Sequence, residues 1–157
     1  MRKLFASILG ILALCLCAPA NVVRPAPNFS FEGAGKTSLK GLQGQPVVLV
    51  IGKSAKDSTF NKQIRKLKEF YQDFAAKDVV FVAALQEDGG TIKSDIPFVL
   101  ARDGAQVAAN YDAEKGFAIV IIGKDGNIDL QTVKVIPSTR VREVLISSFA
   151  VQSPERK

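Results

Sequence analysis

Residues 47–74 read VVLVIGKSAKDSTFNKQIRKLKEFYQDF, and the rest of the chain is arranged around them. The first five residues are apolar and mostly β-branched, which predicts a buried strand. A polar crossing at 52–56 leads to Asp57 or Ser58, either of which can cap a helix. The apolar residues of that helix recur at helical spacing and are Phe60, Ile64, Leu67, Phe70 or Tyr71, and Phe74. The stretch therefore predicts one strand followed by one continuous amphipathic helix.

A second apolar run at 79–83 follows this helix after a short link. Strand, helix and strand together predict a βαβ unit with a parallel strand pair. In such a unit, chemistry usually takes place where the first strand hands over to the helix. We call residues 52–60 the handover loop, and it contains neither cysteine nor histidine. Its candidate site residues are Lys53, Lys56, Asp57, Ser58, Thr59 and Phe60.

The segments on either side of this unit complete one predicted domain, residues 29–150. Before the unit, two prolines within 21–28 predict an extended arm, and 29–39 predict a β-hairpin. After it, the predicted elements are a short extended piece at 97–100, a short helix at 105–111, an antiparallel pair at 117–122 and 128–135 about a turn at 123–127, a closing helix from Pro137-Ser138, and a polar tail at 151–157. This order predicts an α/β fold with a central mixed β-sheet, helices on both faces and an N-terminal β-hairpin.

Residues 1–20 have the pattern of a secretory signal peptide. Arg2 and Lys3 precede an apolar run, and 18–20 (APA) offers small residues for a cut before Asn21. The alternatives are a membrane anchor, for which the apolar run is short, and a lipoprotein, which is disfavoured because leucine precedes each cysteine. We therefore expect export to the periplasm or the outside of a bacterial cell, with no stable membrane anchor after cleavage.

Composition excludes several classes of chemistry. Both cysteines, Cys15 and Cys17, lie in the predicted leader, so we expect a mature chain with no thiol and no disulfide. The chain has no histidine, which excludes a Ser-His-Asp site and a His-ligated metal. Removal of Arg2 and Lys3 with the leader leaves 19 of the 21 basic residues against 15 acidic ones, and this net charge of +4 is modest, so nucleic acid is not an expected partner. The acidic residues lack the spacing of a calcium loop, and we expect neither a cofactor nor a metal.

Two motifs resemble anion sites, and each has a simpler interpretation. Residues 33–37, GAGKT, are similar to the end of a phosphate-binding loop but lack a glycine at Ser30, which favours a hairpin turn. Free N–H groups at the start of the predicted helix, with Lys53 and Lys56, could bind a small anion or an acidic peptide. A capped helix with solvated lysines is the favoured alternative. The basic stripe on this helix, interpreted as a solvated face, is Lys62, Arg65, Lys66 and Lys68.

Four stretches, taken in order, resemble the landmarks of one protein superfamily. They are 26–31 (APNFSF), 38–49 (SLKGLQGQPVVL), 98–111 (FVLARDGAQVAANY) and 120–128 (VIIGKDGNI). On these residues the chain resembles the thioredoxin-like superfamily. It is more similar to the redoxin branch, which includes the alkyl hydroperoxide reductase/thiol-specific antioxidant proteins and exported thioredoxins of the cytochrome-maturation type. The resemblance covers about 26–149 and implies a thioredoxin-like fold with thiol oxidoreductase or peroxidase activity.

The departures from the family pattern lie at its reactive positions. The resemblance implies that a thioredoxin-type cysteine pair would fall near Lys56 and Thr59, and a peroxidatic cysteine near Phe60. It also implies a cis-proline near Phe117 and an arginine in the strand that follows, which would polarise a peroxide. None of these functional residues is present. Since serine or threonine does not replace a thiolate without a base, we interpret the handover loop and Phe117 as a vestigial active site.

Three hypotheses follow from a chain that resembles the family but lacks cysteine at the family's reactive positions. The first is a non-catalytic exported domain that binds a partner, either a protein or a small anion. The second is a redoxin-type oxidoreductase or peroxidase that acts by a cysteine-independent route. The third is a purely structural domain of the cell envelope. Peroxide consumption and insulin reduction separate the second hypothesis from the others, and the sequence predicts neither the partner nor the oligomeric state.

Overall fold

The computed structural model describes residues 23–32, 35, 37–87 and 90–151, so the predicted leader and most of the predicted tail lie outside it. In this part of the chain the strands are β1 (Phe31–Glu32), β2 (Val47–Gly52), β3 (Val80–Leu85), β4 (Val99–Ala101), β5 (Ala118–Ile122) and β6 (Ile128–Thr132). The helices are α1 (Ser58–Lys68), α2 (Tyr71–Ala75), α3 (Gly104–Asn110) and α4 (Ser138–Val151), with a 3₁₀ helix at Leu39–Leu42. No helix within these ranges is long and apolar enough to cross a membrane.

The six strands of the described residues form one mixed sheet in the order β1-β4-β3-β2-β5-β6. β2 lies in its interior, pairing parallel with β3 and antiparallel with β5, as the predicted βαβ unit and hairpin require. Every residue of β2 is buried. Alternate residues of β2 enter two separate hydrophobic clusters, with Leu49 in one and Val48 in the other. An unbroken apolar run is what a strand with core on both faces needs.

Helices cover both faces of the sheet, which confirms the predicted layers. On one face α3 contributes Val107 and Ala108, and the 3₁₀ helix contributes Leu39 and Leu42. On the other face α1, α2 and α4 pack together over the sheet through their apolar residues. The handover loop therefore lies between a central buried strand and a helix that is packed along one side.

The predicted continuous helix after β2 is divided into two. α1 ends at Lys68, and Phe70 has φ −122° and ψ 13°, which is not helical, before α2 begins. The break lets two adjacent rings pack in different directions. Phe70 lies under the guanidinium of Arg142, 6.0 Å from it, whereas Tyr71 meets the ring of Phe81 edge-on at 5.7 Å. In one continuous helix the directions of these two side chains would be fixed about 100° apart, whereas the break lets each ring follow its own partner, so packing overrides the helical pattern here.

The predicted N-terminal hairpin is present in a reduced form. Ser30 and Ser38 form an antiparallel bridge, with a backbone hydrogen bond on each side of it. The predicted return strand at 36–39 is absent from the described residues, because Leu39–Leu42 turns inward as the 3₁₀ helix and buries both of its leucines. β1 pairs with β4 instead. Burial of these leucines, rather than strand pairing, decides the path of this segment.

One buried side chain joins α1 to the segment after β6. Gln63 is fully buried, its Nε2 donates to the carbonyl oxygen of Ile136 (3.1 Å), and its Oε1 accepts from the N–H of Ile136 (2.9 Å). The amide thus pairs with Ile136 as a strand backbone would. Because Ile136 bonds to α1 and not to the sheet, β6 ends at Thr132 and does not reach 135 as predicted.

Candidate functional site

The handover loop is closed by an aspartate cap. Oδ1 of Asp57 accepts hydrogen bonds from the N–H groups of Thr59 (2.8 Å) and Phe60 (2.9 Å). Nδ2 of Asn61 donates to the carbonyl oxygens of Asp57 (2.8 Å) and Ala55 (3.0 Å), which holds the loop from the helix side. Asp57 is therefore the N-cap, one of the two that the sequence offers. Its carboxylate already occupies two of the N–H groups that a bound anion would use.

Phe60 forms the floor of the handover loop. Its side chain has no exposed area and belongs to the cluster on the α1 and α4 face. A Cβ added to Gly52 would lie 2.7 Å from Cδ2 of Phe60, so the ring occupies the space that any larger residue at Gly52 would need. The position at which the resemblance implies a peroxidatic cysteine is thus a core position in this chain.

Two further loops lie against the handover loop at this end of the sheet. A Cβ added to Gly116 would lie 2.8 Å from Cε of Lys53, so the lysine side chain runs directly over the loop before β5. After β3, the N–H groups of Gln86 and Glu87 donate to the carbonyl oxygens of Gly52 (3.0 Å) and Lys53 (2.8 Å). These bonds extend the parallel pairing of β2 and β3 into the loops that follow the strands.

Gln86 is a positioning residue that the sequence analysis did not identify. Its Nε2 donates to the carbonyl oxygens of Ala113 (3.2 Å) and Gly116 (3.3 Å), so its side chain ties the loop after β3 to the loop before β5. The only sequence signal for this role is a polar residue directly after a buried strand. Its partners are about 30 residues further along the chain, and no local pattern indicates them.

Phe117 lies beneath the site rather than facing it. It is nearly buried and belongs to the same cluster as Phe60. The peptide bonds of the described residues are all trans, including the one at this position. Gly116, with φ +131°, is the residue that meets Lys53. Where the resemblance implies a cis-proline beside a reactive cysteine, this chain has a glycine under a lysine and an aromatic side chain in the core.

The surface of the site offers ammonium and hydroxyl groups. Lys53, Lys56, Ser58 and Thr59 are exposed, and neither lysine forms an ion pair with a described residue. In the part of the chain that the structure describes, no three His, Cys, Asp or Glu side chains come together as a metal site would require. The sequence provides no imidazole base anywhere and no thiol after residue 17. The site can therefore bind through charge and hydrogen bonds, but it lacks the groups of thiol chemistry.

Solved structures confirm that the architecture is thioredoxin-like. A Chlorobium tepidum protein assigned as the thiol:disulfide interchange protein DsbE has a TM-score of 0.65 and 18% identity, over 80% of this chain and 96% of that one. The reduced 2-Cys peroxiredoxin of Plasmodium vivax has a TM-score of 0.59 and 19% identity, over 82% and 94%. A thiol:disulfide interchange protein from a Bacteroides species has a TM-score of 0.63 and 17% identity, over 85% and 92%. At identities below 20%, similarity to these structures supports the fold but not the function.

The sequence itself defines the family more closely. Residues 22–131, well over half of the chain, match the family model described as the AhpC/TSA family. The chain therefore belongs to the AhpC/TSA family, as its resemblance to the redoxin branch predicts. No curated protein matches the chain at a significant level. Family membership and the missing cysteines together define the functional question.

Proposed function

We propose that this chain is an exported, thiol-free member of the AhpC/TSA family that works by holding a partner protein against the handover loop. One observation carries the proposal: Phe60, where the resemblance implies the reactive sulfur, is fully buried in the core. The loops around that position are nevertheless held together by hydrogen bonds and glycine contacts. A surface whose loops are held in one arrangement but which offers no nucleophile is suited to binding a partner protein.

The chemistry of the exposed surface favours a protein partner with acidic side chains. Lys53 and Lys56 of the handover loop are exposed, and so are Ser58 and Thr59 in the first turn of α1. A small anion is the weaker candidate, because the carboxylate of Asp57 already occupies the N–H groups of Thr59 and Phe60. Two lysines spaced along a loop suit carboxylates that are themselves spaced along a polypeptide.

Export rests on the leader pattern and has its own test. The protein is recovered from the cell envelope and its N-terminus is sequenced. We expect the chain to begin at Asn21, which removes Cys15 and Cys17 and leaves no thiol. A chain that begins at Met1 and keeps both cysteines would overturn the thiol-free proposal, since its sulfur would then be available to the domain.

Partner binding is tested by site-specific photocrosslinking. A photoreactive residue replaces Ser58 in one variant and Ser147 in a matched control, because both serines are exposed and lie on helices. We expect a crosslinked protein from Ser58 that is absent from Ser147 and is lost when Lys53→Glu and Lys56→Glu are added. Equal crosslinking at both positions would contradict a site on the handover loop.

The enzymatic alternative is tested on the same purified chain. Peroxide consumption and insulin reduction are measured for the parent protein and for a variant in which Ser58 and Thr59 are both alanine. We expect no turnover above the level without protein in either assay, because no thiol or imidazole is present. Turnover that disappears in the double variant would replace the binding proposal with an enzymatic one.

A further inference from the structure

We propose that a cleft between α1 and residues 92–95 binds a phosphate-type oxyanion. The cleft has a volume of about 330 Å³ and is lined by Ile64, Arg65, Lys68, Lys93, Ser94 and Asp95. It is separate from the handover loop, because Arg65 lies about 12 Å along α1 from Asp57 at 1.5 Å per residue. The inference is therefore independent of the partner proposed above.

The charge of α1 is unusually one-sided. Its four charged residues are all basic, Lys62, Arg65, Lys66 and Lys68, and the helix contains no acidic residue. Solvated helix faces usually mix both signs, because like charges three or four residues apart destabilise the helix. Of the four, only Lys68 forms an ion pair with a described residue, and its partner is Asp95. The face is left with uncompensated positive charge.

The helix dipole explains part of this pattern but not the cleft. Arg65, Lys66 and Lys68 lie in the last turn of α1, where positive charge is favourable. Lys93 belongs to a different segment of the chain, and the fold nevertheless brings it to the same cleft as Arg65 and Lys68. Three cations from two segments thus line a cleft with one carboxylate, Asp95, which pairs with Lys68, so the cleft carries more positive than negative charge and favours an added anion.

The donors in the cleft match an oxyanion of two negative charges. Arg65 presents two parallel N–H groups, the geometry that carboxylates and phosphates accept. Oγ of Ser94 accepts a hydrogen bond from the N–H of Ile96 (3.0 Å), and its hydroxyl can still donate one hydrogen bond. Arg65, Lys68 and Lys93 against Asp95 leave a net charge of about two. The volume is at the lower end for ligand pockets, which suits a phosphate or pyrophosphate group and not a polypeptide segment.

Nuclear magnetic resonance titration tests the site directly. Inorganic phosphate and then pyrophosphate are added to the ¹⁵N-labelled protein while sodium chloride keeps the ionic strength constant. We expect saturable shifts confined to the amides of 64–68 and 93–96, with pyrophosphate binding more tightly than phosphate. Shifts that rise without saturation, or that are spread along all lysine-bearing segments, would overturn the proposal.

Charge-matched variants separate a site from general attraction. Arg65→Gln and Lys93→Gln should each weaken pyrophosphate binding by about fivefold or more, since each removes a charge-assisted hydrogen bond. Arg65→Lys keeps the charge but loses the planar fork, and we expect a smaller but measurable loss. Lys134→Gln removes one exposed charge elsewhere and should change binding by less than about twofold. Equal losses in Arg65→Gln and Lys134→Gln would refute a built cleft.

Vesicle sedimentation distinguishes a free phosphate group from one on a lipid. Vesicles of phosphatidylglycerol in phosphatidylcholine are compared with phosphatidylcholine alone, with and without pyrophosphate. Sedimentation that pyrophosphate and Arg65→Gln both abolish supports a lipid headgroup as the source. Titratable binding of pyrophosphate without sedimentation supports a soluble source. Sedimentation that Lys134→Gln reduces as much as Arg65→Gln does would count against the cleft.

Discussion

The two ends of the sheet are closed in different ways. At the end where β2 and β3 finish, neighbouring groups approach so closely that an added Cβ would collide at Gly52, Gly104 and Gly116. At the other end, where β2 begins, a pocket of about 290 Å³ is open, with Leu42 and Val47 among its apolar lining. A pocket of about 430 Å³ also lies beside the loop after β3, with Gln86 and Asp103 in its lining, so the close packing belongs to the glycine contacts and not to the whole end. For these contacts we call the end at which the resemblance implies sulfur the filled end, and we call the other the open end.

The difference teaches that the region at which the resemblance implies the reactive residues is held by close contacts in this chain. Glycine contacts and backbone hydrogen bonds between loops hold the handover end. At the open end the arm pairs with the turn at 123–127, through a bridge between Pro25 and Asn127 and a bond from the N–H of Ala26 to the carbonyl oxygen of Gly126 (2.9 Å), and one side chain adds to this pairing. The hydroxyl of Tyr111 donates to the carbonyl oxygen of Pro27 (2.8 Å). Burial raises the pKa of Tyr111 above its ordinary value, so the hydroxyl keeps its proton and remains a donor. Each end can be disrupted separately.

The largest expected effect comes from Gly104→Ala at the filled end. The added Cβ would lie 1.8 Å from the carbonyl oxygen of Leu85, and backbone has to move to admit it. We expect a loss of about 3 kcal/mol in the free energy of unfolding, measured by urea denaturation. The control is Gly126→Ala at the open end, where the new Cβ meets nothing within 4 Å and only the φ of +81° costs about 1 kcal/mol. Equal losses would remove the contrast between the two ends.

Phe60→Cys tests how tightly the filled end is packed, because it places a thiol where the resemblance implies the peroxidatic cysteine. Because Phe60 is fully buried, we expect a loss of about 3 kcal/mol in stability from the cavity. We also expect slow reaction with a thiol reagent in the native state and no peroxide consumption. Thr59→Cys is the matched control, since that neighbour is exposed and its thiol should react freely at little cost in stability. Rapid labelling of Phe60→Cys would mean that the floor of the loop opens.

Tyr111→Phe should weaken the open end by less. The substitution removes only the hydrogen bond to Pro27, so we expect a loss of about 1 kcal/mol and faster proteolysis within residues 23–28. Tyr71→Phe provides the control, because the hydroxyl of Tyr71 forms no hydrogen bond with a described residue. Unchanged proteolysis of the arm in Tyr111→Phe would show that other contacts hold it.

The smallest expected effect is a pH dependence at Asp129 in β6. Partial burial raises its pKa, the nearby hydroxyl of Ser148 opposes the rise, and the negative charge of Asp125 adds to it. An acid with a raised folded pKa binds more protons when folded, so stability falls as pH rises from its ordinary value of 3.8 through the folded value. We therefore expect Asp129→Asn to stabilise slightly at pH 7 and to have no effect at pH 3, in urea denaturation. The exposed Glu114→Gln should show no such difference, and a gain at pH 3 as large as that at pH 7 would contradict this origin.

Elements with strong local patterns were predictable from the sequence. The apolar run of β2, the alternation about the turn at 123–127 and the capped start of α1 each depend on residues within a few positions of one another. Of the candidate site residues, Phe60 and Phe117 are distant in the chain and share one hydrophobic cluster, whereas the others are close neighbours along the handover loop. The family landmarks added the thioredoxin-like fold, which no single local pattern contains.

The features that the sequence did not indicate depend on distant partners. The break before α2 serves contacts of Phe70 with α4 and of Tyr71 with β3, and the pairing of Gln63 with Ile136 ends β6 early. Gln86 ties two loops that are far apart in the chain. In each case the residue that makes the contact is distant in the chain and comes close only on folding, so local residue spacing does not predict the contact.

The carboxylate of Asp57 at the N-terminus of α1 would affect the reactivity of any cysteine introduced there. In thiol enzymes the positive end of a helix favours the thiolate and makes the cysteine reactive. Here Asp57 has already taken that place, with Oδ1 on the N–H groups of Thr59 and Phe60. A thiolate grafted beside it would face a resident negative charge of the same sign. Activation of a new thiolate by this helix end would therefore require the replacement of Asp57 as well as the introduction of a cysteine.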